Sequence, residues 1–164
     1  MSFRKKMEVI ALQLPTEKEY QKNLDKLLLL IEQLDDKAVI VAPEVYLTEY
    51  DYEHIEAAAS FSAKALDVLK EVIGDQVLVL TLMLKEGDGY INRAVVIHNH
   101  TIVYQQEKVK LFKLGDEDRY LEAGKQEDIG PFEIDGVKYA LVICLSLIHI
   151  SEPTRLLSIS YAVF

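Results

Sequence analysis

The chain has 164 residues, half of them apolar, with 27 acidic against 18 basic side chains and a formal net charge of -9. That composition can fill and coat one globular core, so it excludes disorder as the dominant state. The acid surplus argues against a nucleic-acid or anionic-membrane partner, since both need Lys and Arg to displace counterions. One cysteine, Cys144, excludes an internal disulfide and a cysteine-rich zinc site, which points to a reducing compartment and a cytoplasmic address. No stretch is predicted to be a secretory leader or a membrane span.

Glu8 to Leu14 begins as apolar alternation and stops at Pro15, which predicts a strand. Thr16 then offers a hydroxyl N-cap, and Tyr20, Leu24, Leu27, Leu28, Ile31 and Leu34 recur at helical spacing through Asp35. Lys37 to Ala42 is a short β-branched run, the pattern of a strand covered on both faces, and it ends in Pro43-Glu44. Beyond a Tyr- and Asp-rich loop, His54 to Ile73 predicts a second helix with Gly74 at its C-cap. Gln76 to Leu84, Ile91 to His98 and Thr101 to Glu107 read as a three-stranded meander, turning at Gly87-Asp88-Gly89 and at Asn99-His100. A polar loop from Lys108 to Gln126 leads to two more strands around Asp135-Gly136, the second running from Val137 to Cys144. This order predicts an α/β fold, a mixed β-sheet with helices on one face.

The last twenty residues read differently. Leu145 to Arg155 resembles a translated sequencing-library transposon adapter, and Ile159 to Phe164 resembles the flow-cell primer that follows it, with three residues between them for a sample index. The expected organisation is therefore a domain over 1–144 and a non-native tail over 145–164.

Three chemically capable side chains stand at predicted strand ends: Glu44, Lys108 and Cys144. A rigid sheet can present an acid, a cation and a thiol from such positions to one cleft. Taken singly, a cysteine ending an apolar strand is ordinarily a core residue, and a loop Glu or Lys is ordinarily solvated. The case rests on the three together. His98 and His100 share a strand face, yet no third ligand is in view and both read as exposed turn residues, so no metal is expected. Asp116, Glu117, Asp118 and Glu122 lack calcium-loop spacing and read as a solvated acidic rim. No serine-hydrolase elbow, Walker loop or dinucleotide fingerprint is present.

These segments resemble the carbon-nitrogen hydrolase (nitrilase) superfamily. Val39-Ile-Val-Ala-Pro-Glu-Val-Tyr-Leu-Thr-Glu-Tyr50 is similar to its glutamate motif, Gln106-Glu-Lys-Val-Lys-Leu-Phe112 to its lysine motif, and Gly115 to Gly124 to the acidic stretch and closing glycine that follow. Val137 to Cys144 is similar to the strand that leads into its cysteine. The resemblance implies the N-terminal part of an α-β-β-α sandwich with Glu44, Lys108 and Cys144 as catalytic triad and Glu117 as the second acid, positioning lysine and substrate. It implies a hydrolase for a small linear amide, N-carbamoyl amine or nitrile that releases ammonia through a cysteine acyl-thioester. No cofactor is implied, and homo-oligomers are. Glu49 stands where a glycine is common in the family, Lys110 where histidine is usual, and Asp116 lengthens the acidic stretch. Past the cysteine the family continues with an aspartate, where this sequence has Ser146, and with the second half of the sandwich. The alternative expectation is therefore an inactive fragment or a binding module of the same fold.

Overall fold

The computed structural model describes residues 8–144 and the backbone of 160–163. Five strands form one sheet in the order β1 (Val9–Ala11), β2 (Val39–Val41), β3 (Val77–Glu86), β4 (Gly89–His98) and β5 (Thr101–Glu107). The first three run parallel, connected by α1 (Tyr20–Gln33) and α2 (Ile55–Val72), and β3 to β5 form the antiparallel meander expected from the sequence. β6 (Phe132–Ile134) and β7 (Val137–Val142) form a second sheet, which the backbone of β8 (Ser160–Val163) joins in parallel with β7. The other residues after Cys144 lie outside the described residues, and with them most of the segment expected to be a tail.

Strand periodicity assigns the two faces of the first sheet to different cores. Ile40, Leu78, Leu80, Leu82, Val95 and Ile97 pack beneath the helices with Leu24, Leu27, Ile31, Ala65 and Leu69. Val39, Val41, Val77, Val79, Ala94 and Val96 pack against Ile134, Tyr139, Leu141 and Ile143 of the second sheet. β2 is thus covered on both faces, as its unbroken β-branched run predicts, and the layers are helix, sheet, sheet. The separate second sheet refines the expectation of one mixed sheet. A two-residue turn at Asp135-Gly136, with φ values of 50° and 78°, reverses β6 into β7 locally.

Local expectations differ in three places. Thr16 does not cap α1: the helix starts at Tyr20 after an extended Glu19 with no side-chain cap, and the Thr16 hydroxyl donates instead to Glu49. Gly74 is not a left-handed cap: Ile73 is already extended, Gly74 does not take a positive φ, and their carbonyls accept from His100 and Asn99 of the β4–β5 turn. His98 is buried rather than exposed, its Nδ1 held 3.1 Å from the Gln76 carbonyl. Leu29, which widens the apolar side of α1, lies exposed, so that helix is buried along one stripe only.

Candidate active site

The face of the first sheet that meets the second sheet changes character towards one end. On β3 the alternating residues Val77 and Val79 give way to Thr81 and Met83; on β4, Val96 and Ala94 give way to Asn92, which pairs with Met83. Asn92 and Thr81 are both buried there. β2 ends at the same level, and Ala42 still donates to the Val79 carbonyl at 2.9 Å before Pro43, which has no N–H, breaks the ladder. Glu44 follows at once. β5 delivers Lys108 to the same place, its N–H donating to the Asn92 carbonyl at 2.8 Å.

The loop after Glu44 is held by tertiary contacts against its own preferences. Val45 takes φ 50°, a left-handed conformation costly for a β-branched residue, while its N–H donates to Thr81 Oγ1 at 2.7 Å and its carbonyl accepts from Thr48 and Glu49. Glu49 takes φ 53°, which explains in backbone terms why a glycine suits this position. From α1, the buried Asn23 amide donates to the Leu47 carbonyl at 3.0 Å and exchanges two hydrogen bonds with the Glu17 backbone, tying the loop to the helix entry.

The lysine side is built by the segment after β5. Lys108 Nζ, on a side chain only 1% exposed, lies 2.8 Å from Glu44 Oε1 and 2.7 Å from Glu117 Oε1. Glu117 opens a short helix, α3 (Glu117–Tyr120), and its second oxygen accepts the Phe112 N–H at 2.6 Å. Both of its oxygens are thereby engaged, which suits an anchor better than a base. Gly124 donates to the Lys108 carbonyl at 3.0 Å, and a Cβ on it would lie 2.4 Å from Glu107 Cβ, so only glycine allows the segment to return this close.

Electrostatically the cluster is a cation shared by two acids. Burial alone would lower the lysine pKa, but the hydrogen bonds and charges of Glu117 and Glu44 outweigh it and hold the pKa above the usual lysine value. Lys108 is therefore a fixed ammonium. Tyr50 lies beside it, ring centroid 5.8 Å from Nζ. Burial, then the charge and hydrogen bond of Glu44, then Glu117 and the Cys144 thiol push the Tyr50 phenol far up, so it stays neutral.

Glu44, Lys108 and Glu117 are thus brought into direct contact. Cys144 stands just past β7 at φ 45°, partly buried against the inter-sheet core and within electrostatic reach of Tyr50. Glu117 departs from the reading of its acidic neighbours as a solvated rim: it is buried, while Asp116, Asp118 and Glu122 are exposed. Asn92 and Thr81 carry no candidate role in the sequence reading. The signal for Asn92 was available, since strand alternation places this polar residue in line with the buried Ala94 and Val96. Among the described residues no three His, Cys, Asp or Glu side chains converge as a metal site.

Helices on one side of a mixed sheet, a second sheet on the other, and an acid–lysine–acid cluster where the two sheets end define an α/β enzyme-like scaffold. The profile of the carbon-nitrogen hydrolase family matches residues 9–155, and the chain belongs to that family. It is 30% identical over 131 residues to the 2-oxoglutaramate amidase of Bacillus subtilis (strain 168), an alignment covering 76% of this chain and 50% of that protein. The chain thus spans about half the length of the curated relative it matches. Among solved structures it is similar to a mutant of the amidase from Nesterenkonia sp. AN1 showing covalent addition of the acetamide moiety of fluoroacetamide at the active site cysteine. The TM-score is 0.74 at 21% identity, over 85% of this chain and 56% of that one. It is also similar to the glutamine-dependent NAD+ synthetase from Acinetobacter baumannii, with TM-score 0.70 and 25% identity over 83% of this chain and 27% of that one.

Proposed function

We propose that the chain carries the reacting centre of a hydrolase that cleaves the carbon–nitrogen bond of a small linear amide, with N-carbamoyl amines and nitriles as the other candidate substrates. The observation that carries the reading is the buried Lys108 ammonium held between Glu44 and Glu117 at 2.8 and 2.7 Å. A buried cation so held is a costly structural device and a good chemical one, because it stabilises negative charge without moving.

In the proposed reaction Glu44 takes the proton from the Cys144 thiol as sulfur attacks the amide carbon. The tetrahedral oxyanion forms beside the Lys108 ammonium. Glu44 then gives the proton to the leaving nitrogen, the C–N bond breaks, and ammonia departs from an acyl-thioester. Water enters, loses a proton to Glu44 and attacks the thioester; the C–S bond breaks and the proton returns to sulfur. Tyr50, neutral beside Glu44, is suited to contact the substrate at the mouth of the site.

The experiment is ammonia release from 2-oxoglutaramate, a simple N-carbamoyl amine and an aliphatic nitrile, with Cys144→Ala as control. Release that is lost in Cys144→Ala supports the reading, and release that persists overturns it.

A further inference from the structure

Glu44 has a second neighbour that the proposed chemistry does not use. Asn92 is completely buried, and its Nδ2 donates to Glu44 Oε1 at 2.9 Å, the same oxygen that Lys108 Nζ reaches at 2.8 Å. Its backbone carbonyl accepts the Lys108 N–H at 2.8 Å. One residue on β4 thus holds the acid through its side chain and the lysine through its main chain. Its remaining side-chain oxygen, Oδ1, has no hydrogen-bond partner among the described residues. Leaving a buried acceptor unpaired costs about 1–3 kcal/mol, so the amide is oriented for what its nitrogen does.

We propose that Asn92 is a positioning residue that fixes the rotation of the Glu44 carboxylate: with Lys108 it occupies Oε1 and so assigns Oε2 as the oxygen that exchanges the proton with Cys144 and the leaving group. The inference rests on the reading of Glu44 as base and deepens it. A carboxylate held by the lysine alone can turn about its Cγ–Cδ bond and present either oxygen to the thiol; two donors, one on β4 and one just past the end of β5, stop that rotation. Asn92 touches neither substrate nor sulfur in this role. The charged groups facing Glu44 are Lys108 and, through it, Glu117, with the neutral Tyr50 hydroxyl beside the same carboxylate.

The test measures two quantities on the full chain in four forms: wild type, Asn92→Ala, Glu44→Gln and the double variant. The first is kcat and KM for 2-oxoglutaramate; the second is the rate of Cys144 alkylation by iodoacetamide, which needs no amide turnover. Asn92→Leu, which keeps a similar volume and has no N–H to donate, serves as a second variant should Asn92→Ala lose its cooperative melt. The expected result is a fall of about tenfold or more in kcat with KM within about twofold, and a fall in alkylation rate that vanishes in the Glu44→Gln background. An equal fall in both backgrounds, or none in either, overturns the proposal. Absence of ammonia release by the wild type, with coupled alkylation rates intact, would instead overturn the amide reading and leave Asn92 positioning Glu44.

Discussion

Between β3 and β4 ten consecutive pairs run in register from Val77 and His98 to Glu86 and Gly89, β5 adds to β4 with one shift between Val96 and Ile97, and the β4–β5 turn places Asn99 and His100 at φ 49° and 62°. The loops that carry Glu44, Lys108, Glu117 and Cys144 are built otherwise. There the left-handed residues are Val45, Glu49, Asp116 and Cys144, of which only the aspartate is a type that adopts this conformation readily. In the meander, local preference and tertiary packing agree. In the site, tertiary contacts override local preference: Thr81 holds Val45, Glu117 holds Phe112, and two acids share one buried lysine. Strain is stored where side chains must be aimed, and the regular strands supply the stability that tolerates it.

The comparison breaks most visibly at Lys108. Lys108→Met leaves Glu44 and Glu117 facing each other without their cation, and is expected to cost about 3–5 kcal/mol in denaturant unfolding and a factor of about 10² to 10³ in turnover. A change of similar size in the other region separates the two: Leu80→Ala, beneath the helices on β3, should cost about 2–5 kcal/mol while leaving the alkylation rate of Cys144 in the still-folded protein unchanged. Gly124→Ala forces a methyl group into Glu107 and should cost about 1–3 kcal/mol, because the Glu107 backbone as well as its side chain stands in the way. The smallest effect has the opposite sign. Glu49→Gly relieves a left-handed residue and should raise the unfolding free energy by up to about 1 kcal/mol in denaturant unfolding, less what is lost with the Thr16 contact.

The same division explains what the sequence made legible. The meander, both helices, the doubly covered β2 and the Asp135-Gly136 hairpin follow from periodicity and turn chemistry, which act over a few residues. Glu44 and Lys108 were legible because strand ends and family motifs mark them, and Glu117 because the acidic stretch does. Thr16 misled because its hydroxyl finds Glu49, thirty-three residues away, and no local rule anticipates that partner. Gly74 misled because its carbonyl and that of Ile73 are claimed by the β4–β5 turn. Asn23, Thr81 and Asn92 belong to no motif, and one feature unites them: each is a polar residue inside a regular element, and its partner belongs to a loop remote in sequence. A buried polar residue on a core-facing position is itself a signal, and here all three hold the segment from Glu44 to Leu47.

The central claim is that Cys144 attacks the amide carbon with Glu44 and Lys108 beside it. The most direct measurement is mass spectrometry of the chain quenched during incubation with 2-oxoglutaramate, followed by peptide mapping. The account predicts an acyl group on the peptide containing Cys144, absent in Cys144→Ala and greatly reduced in Lys108→Met; no adduct, or an adduct on another residue, would contradict it.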